Sequence, residues 1–313
     1  MAAKHDLLVI AGPTASGKSA LALELAGRLN LEIISGDSMQ LYRGLDIGTA
    51  KPTATERRLV PHHLIDLFAF SERVDVFRFV KLAGDCIESV AARGNLPCVV
   101  GGTGLYLKSL IYGLDDLPAD SAVRARIDAQ YAAGDRFEEL KKVMAARDPV
   151  SLTRWEKNQR RLLRALEVLT VSGRSISELQ SGPRPARYRT LTLVLDWERD
   201  ELKRRIAERT GKMLGSGWLE EARIAIAGGL LDSPTARQAI GYDLIAEYLA
   251  GNMTRNALAA RIATVTWQLA RRQLTWFRHQ HPEAEWVECP ADPDAVAERV
   301  ERFFRSSPVA GRN

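Results

Sequence analysis

The sequence predicts an α/β fold: a parallel sheet flanked by helices, with an all-helical domain inserted into it. Three observations carry this. A glycine-rich stretch, residues 12–19, lies between an apolar run and a helical pattern. Strand and helix patterns alternate from Leu7 to about residue 115. Strand patterns then vanish from Asp120 to Gln180 and return at Thr190. Alternation of this kind implies parallel pairing, with helices on both faces of the sheet.

Leu7–Ala11 is a short apolar run and reads as a buried strand, and Ala20–Leu29 reads as the helix after it. Leu31–Ser35 reads as the second strand. Val80–Ala92 reads as a helix closed by Arg93-Gly94-Asn95, and Pro97–Val100 as the third strand. The insert reads as helices over Arg124–Ala133, Arg136–Ala146 and Ser151–Ser172, with Asp148-Pro149 and Gly173 as start and stop signals for the last. Ser181-Gly182-Pro183-Arg184-Pro185 reads as a linker, and Thr190–Leu195 returns to the sheet. Helices are expected over Asp200–Leu214, Trp218–Ala227, Thr235–Ala250 and Arg255–Phe277. A strand over Glu285–Cys289 and a helix over Asp294–Phe304 follow. The expected domains are a core of residues 1–119 and 189–313 and an insert of residues 120–188. A chain of 313 residues is room for about two domains.

Gly12-Pro13-Thr14-Ala15-Ser16-Gly17-Lys18-Ser19 fits G-x-x-x-x-G-K-[ST] at every fixed position. Strand, loop and helix in that order make it a phosphate cradle and the core P-loop NTPase-like. Backbone N–H groups and a helix N-terminus face the anion, Lys18 adds a cation, and Ser19 offers a hydroxyl to Mg²⁺. Nucleoside triphosphates and organic diphosphates present the same groups to such a loop.

Ligands of an open parallel sheet bind beyond the carboxyl ends of its strands. Two further loops therefore compete for the site. Asp37, in Gly36-Asp37-Ser38-Met39-Gln40, places a carboxylate there for Mg²⁺ or for a proton, though an Asp after a strand also serves as a plain turn residue. Thr103, in Gly101-Gly102-Thr103-Gly104, has a hydroxyl in a loop whose glycines permit close approach of a ligand.

Composition narrows the class. Hydrophobic residues at 46% and charged residues at 27% match an ordinary globular protein, and no apolar run approaches the ~20 residues of a membrane span. Met1 to Asp6 is short and polar, unlike a signal peptide, so a cytoplasmic protein is expected, and with no visible assembly device a monomer. Cys86, Cys98 and Cys289 are far apart and form no C-x-x-C pair, which argues against zinc or a disulfide framework. His62-His63 has no partner at ligand spacing and reads as structural. The net charge of +5 is a weak sign of a polyanionic partner, but its placement says more. Arg154, Lys157, Arg161 and Arg164 recur at helical spacing on one face of the insert, apart from an apolar stripe of Leu162, Leu166 and Leu169. Arg261, Arg271, Arg272 and Arg278 lie on the helix near the C-terminus, interleaved with Trp267, Trp276 and Phe277. Basic faces with aromatics suit RNA. From the residues alone, three readings stay open: a small-molecule kinase, a transferase acting on RNA, and an RNA-binding NTPase switch.

The full motif set resembles the bacterial tRNA dimethylallyltransferase family. The carriers are residues 12–19, Asp37-Ser38-Met39-Gln40-Leu41-Tyr42, Asp46-Ile47-Gly48-Thr49-Ala50-Lys51-Pro52 and Pro61-His62-His63-Leu64-Ile65-Asp66. They continue with Gly101-Gly102-Thr103-Gly104-Leu105-Tyr106, Arg164-Ala165-Leu166-Glu167, Gln238-Ala239-Ile240-Gly241-Tyr242 and Arg271-Arg272-Gln273-Leu274-Thr275-Trp276-Phe277. The resemblance implies prenylation of the adenosine 3′ to the anticodon, with dimethylallyl diphosphate in the phosphate loop and Mg²⁺ near Ser19. It also implies Asp37 as general base and Thr103 at the reacting centre. Asp37, Ser38, Met39, Gln40, Thr103, Arg124, Gln159, Arg160, Arg161, Leu162 and Leu163 are implied to contact the tRNA anticodon stem-loop.

Overall fold

The structure is a computed structural model that describes residues 5–180, 182 and 184–306. The chain divides into two units: residues up to Gly113 together with those from Ala186 onward, and Leu114–Pro185. The insert thus begins earlier and ends earlier than residues 120–188. Of the expected linker, Ser181 and Pro183 lie outside the described residues.

The first unit is built on a six-stranded sheet. Its strands are β1 Asp6–Ala11, β2 Leu31–Ser35, β3 His62–His63, β4 Leu96–Gly101, β5 Arg189–Asp196 and β6 Glu285–Glu288. Their order is β3-β2-β4-β1-β5-β6, and every pairing is parallel. Successive side chains of β1 divide between the faces. Leu7, Val9 and Ala11 join one apolar cluster, while Leu8 and Ile10 join the other. A strand buried on both sides in this way reads as a continuous apolar run.

Helices cover both faces. Their order begins with α1 Lys18–Ala26, α2 Ala54–Leu59, α3 Val76–Ala92 and α4 Gly104–Tyr112. The insert supplies α5 Ser121–Tyr131, α6 Phe137–Arg147, α7 Pro149–Trp155, α8 Gln159–Ser172 and α9 Ile176–Leu179. The first unit closes with α10 Arg199–Gly215, α11 Trp218–Ala227, α12 Tyr242–Leu249, α13 Arg255–Gln280 and α14 Pro293–Arg305. Leu21 and Leu25 of α1 and Val296 and Val300 of α14 pack on one face. Phe79 of α3, Leu107 of α4, Trp218 of α11 and Ile262 of α13 pack on the other. The expected helix over Thr235–Ala250 does not form as one piece, because Gly241 at φ +96 interrupts it and starts α12.

The short edge strand β3 is fixed by charge. Glu32 of β2 is 3% exposed, and it accepts from His63 Nε2 at 2.7 Å, Arg93 Nε at 2.9 Å, Arg93 Nη2 at 2.7 Å and Asn95 Nδ2 at 2.7 Å. The Arg93 guanidinium foremost, then Asn95 and His63, pull its carboxyl down to about 2 against the cost of burial. His63 is thus tied into the fold, while His62 Nδ1 meets the Val60 carbonyl at 2.7 Å and His62 also lines the cleft beside the phosphate loop.

The insert is a helical unit with its own core of Ile127, Leu140, Met144, Leu162, Leu163, Leu166 and Val168. The expected single helix over Ser151–Ser172 breaks at Glu156–Asn158, where the Asn158 side chain accepts from the Arg161 N–H and caps α8. Arg154, Lys157, Arg161 and Arg164 therefore do not share one helix face. Arg154 and Arg161 instead approach the Trp155 ring at 5.1 and 5.8 Å, and Arg164 turns to the Leu117 carbonyl at 3.0 Å and to Glu167 at 2.9 Å.

Candidate active site

Strand order decides where the chemistry gathers. β2, β4 and β1 are neighbours, and in a parallel sheet their carboxyl ends lie at one edge. The loops after them are residues 12–17, 36–40 and 101–103. All three line one cleft of about 910 Å³ in the first unit, through Thr14, Ala15, Gly17, Asp37, Ser38, Met39, Gln40, Gly102 and Thr103.

The phosphate loop is held from behind. Gly12 takes φ +143, strained for any other residue, and a Cβ there would press on the Leu195 backbone at 3.1 Å. Ala15 lies in the left-handed region at φ +65, where its carbonyl accepts from Arg205 Nε at 3.0 Å and its methyl packs near Leu202 and Ile206. Trp197 Nε1 donates to the Ser16 carbonyl at 2.8 Å, and Gly17 at φ +92 opens α1. Lys18 and Ser19 then sit in the helix's first turn, where unpaired N–H groups favour an anion. Lys18 Nζ donates to the Pro13 carbonyl at 2.6 Å. Burial foremost, then the charge of Arg209 on α10, push the Lys18 ammonium down to about 7, while Asp37 works against the shift. Arg209 itself is lowered by burial and supported by Asp37. Two desolvated cations facing one carboxylate form a place prepared for a further anion.

Asp37 makes a turn with one carboxylate oxygen and keeps the other open. Its Oδ1 accepts from the Met39 N–H at 2.8 Å, which makes the turn, and among the described residues Oδ2 carries no hydrogen bond. Ser35 Oγ donates to Gln40 Oε1 at 2.8 Å. Gln40 Nε2 donates to the Thr49 and Ala50 carbonyls, each at 3.2 Å, so Gln40 braces two walls of the cleft. Thr103 Oγ1 accepts from the Ser38 N–H at 3.4 Å and joins the second loop to the third.

The glycines of residues 101–104 line the cleft and also admit other parts of the protein. A Cβ on Gly101 would overlap the Gly36 backbone, one on Gly102 the Gln273 amide, and one on Gly104 the Trp276 ring. The aromatics of α13 are likewise packing residues. Phe277 is fully buried, Trp276 lies against Gly104, and Trp267 lies under Arg199 and Lys203.

Two other sequence motifs build the wall. Three successive N–H groups, of Asp46, Ile47 and Gly48, donate to the Glu221 carboxylate at 2.8, 2.7 and 3.0 Å, and Tyr242 Oη donates to it at 2.7 Å. Lys51 Nζ is buried and bound to the Tyr42 carbonyl at 2.6 Å, Asp46 at 2.8 Å and Asp66 at 2.5 Å. Residues 46–52 are thereby fixed as one side of the cleft, with Ile47 facing the Trp218, Ile240, Ile262 and Leu269 side chains that also line it.

Sequence reasoning missed Arg209, Gln273, Arg205 and Trp197. The run residues 271–277 stood out as a motif, but nothing in spacing alone brings α10 or α13 to the phosphate loop. The tRNA-contact residues implied in the insert are described within that unit. Arg124 pairs with Asp128 at 2.9 Å and Glu167 at 3.0 Å, and Gln159 Nε2 donates to the Tyr131 and Ala133 carbonyls at 2.7 and 3.1 Å. Arg160 and Arg161 are exposed. Leu162 and Leu163 are core residues, 0% and 5% exposed, so their side chains correct the expectation of an RNA contact.

Among the described residues no group of three His, Cys, Asp or Glu side chains is placed to hold a metal ion. The oxygen donors at the cleft, the Ser19 hydroxyl and the Asp37 carboxylate, fit a hard cation that keeps its waters and binds mainly through substrate phosphates. No helix among the described residues is long and apolar enough to cross a membrane.

The chain is similar to curated tRNA dimethylallyltransferases. One from Anaeromyxobacter dehalogenans is 44% identical, covering 95% of this chain and 99% of the relative, and one from Geobacillus thermodenitrificans is 43% identical over 98% and 97%. Among solved structures, a full-length tRNA isopentenylpyrophosphate transferase from Bacillus halodurans superposes with a TM-score of 0.70 at 37% identity, over 97% of this chain and 96% of the other. A eukaryotic dimethylallyltransferase acting on tRNA superposes with a TM-score of 0.79 at 25% identity, over 99% and 82%. The isopentenyl transferase profile matches residues 5–62, and the IPP transferase profile matches residues 40–280. The chain belongs to the IPP transferase family.

Proposed function

We propose that this chain is a tRNA dimethylallyltransferase, moving the five-carbon group of dimethylallyl diphosphate to the N6 amine of the adenosine 3′ to the anticodon. The observation that carries the reading is the single cleft where phosphate loop, Asp37 and Thr103 meet beside an apolar wall. Lys18, Arg209 and the α1 N-terminus bind the diphosphate. The apolar wall takes the prenyl chain, and Asp37 and Thr103 face the base.

The exocyclic amine of adenine is a weak nucleophile because its lone pair is delocalised into the ring. Asp37 takes the proton from the amine as the N–C bond forms. The C–O bond to the diphosphate breaks as it does so, and the departing charge is received by Lys18, Arg209 and the loop amides. Mg²⁺ at Ser19, when bound, adds charge neutralisation of the diphosphate. Asp37 is held by the Met39 N–H, so the turn itself aims the base. The adenosine must leave its stack, at a cost of a few kcal/mol. The insert's exposed Arg160 and Arg161 support RNA binding through phosphates. A monomer acting in the cytoplasm is part of the same proposal.

The test is labelled dimethylallyl diphosphate, Mg²⁺ and an unmodified anticodon stem-loop, beside a parallel incubation with labelled ATP. Prenyl label on the RNA supports the reading. Phosphate transfer from ATP with no prenyl label overturns it in favour of a kinase.

A further inference from the structure

Gln273 of α13 reaches two of the three loops at once. Its Oε1 accepts from the Thr14 N–H at 2.9 Å, and its Nε2 donates to the Gly102 carbonyl at 2.9 Å. A primary amide offers an acceptor and a donor on one rigid plane at any pH; an ionised carboxylate has no donor, and a thioether has no donor and only a weak acceptor. Gly102 lacks a side chain where the amide lies, and one turn on Trp276 fills the space that Gly104 leaves. A single turn of α13 therefore sets how far the phosphate loop stands from Thr103. The Thr14 N–H is already engaged, so it is not a phosphate donor.

We propose that Gln273 is a positioning residue for prenyl transfer. It fixes the phosphate loop against the Thr103 loop, so the donor's reacting carbon and the attacking amine meet at the right separation. It acts on the transfer step, not on holding the diphosphate. This rests on the function proposed above. Small errors in such spacing are costly to rate, up to about a hundredfold for a 1 Å misplacement.

The experiment compares Gln273→Glu and Gln273→Met with the unaltered full-length protein. Readouts are single-turnover transfer between pH 5.5 and 8, affinity for inorganic diphosphate with Mg²⁺, and Tm. At pH 8 both variants are expected to transfer at least about tenfold more slowly, with diphosphate affinity within about threefold. A Glu facing a carbonyl in a half-buried site protonates more readily than a free one as pH falls, and the O–H of the acid form restores the donor to Gly102. The Gln273→Glu deficit should therefore shrink as pH falls, while the Gln273→Met deficit should not. Coincident pH profiles for the two variants, an undiminished rate, or a loss confined to diphosphate affinity overturns the role. Absence of transfer by the unaltered protein overturns the function itself; transfer there with coincident variant profiles overturns the positioning role alone.

Discussion

Lys18 is a group whose charge should change when the cleft fills. Without an anion, burial and Arg209 hold its ammonium at about 7, against an ordinary value of 10.5. A bound diphosphate supplies the missing counter-charge and draws the value back up. Binding should then take up protons. At pH 8 Lys18 starts about tenfold more neutral than charged, so uptake approaches ~0.9 proton; at pH 7 it is ~0.5, and by pH 6 only ~0.1. The assay is calorimetric titration of inorganic diphosphate and Mg²⁺ in buffers of different ionisation enthalpy, for the unaltered protein and for Lys18→Met. The diphosphate's own protonation appears in both proteins and cancels in the difference. A difference that rises from pH 6 to pH 8 is expected. Equal uptake by the two proteins, or a difference that falls over that range, refutes the assignment of Lys18 to the diphosphate.

Other outcomes follow from the same geometry. Asp37→Asn keeps an oxygen for the Met39 N–H, so donor and RNA affinity should hold while kcat falls about 10²- to 10⁴-fold; loss of RNA binding with kcat intact refutes the base role. Glu32→Gln should lower Tm near neutral pH, because Arg93 loses its carboxylate. Since the folded value is depressed to about 2, that gap in Tm should be full above pH 4.5 and close as pH falls toward 2; a pH-independent gap contradicts it. Arg161→Ala should weaken RNA binding and flatten its dependence on log salt by about 0.7 per lost phosphate contact; an unchanged slope argues against that contact.

Much of the fold was legible because its signals are local. β1, β2, β4 and β5 are apolar runs whose alternate side chains both meet helices, so composition alone marks them. β3 escaped notice because two histidines have no strand signature. They are recruited by Glu32 across the edge. The helix break at residues 156–158 escaped because helical spacing continues through it, and the Asn158 cap is one side chain in an otherwise helical pattern.

The site divides in the same way. Residues 12–19, Asp37 and Thr103 are legible because a loop after a parallel strand must lie at the site edge, and backbone chemistry there needs glycine, a cation and a carboxylate at set positions. The sequence by itself thus determined the phosphate loop, the strand-end carboxylate and the family. Tertiary structure alone decided that Arg209 faces Lys18, that Gln273 joins Thr14 to Gly102, and that protein atoms stand where side chains at 101, 102 and 104 would lie. Those pairings join residues separated by as many as 259 positions. No local pattern encodes such a distance. It is set by how α10 and α13 pack on the sheet, once burial has fixed which of their faces turn inward.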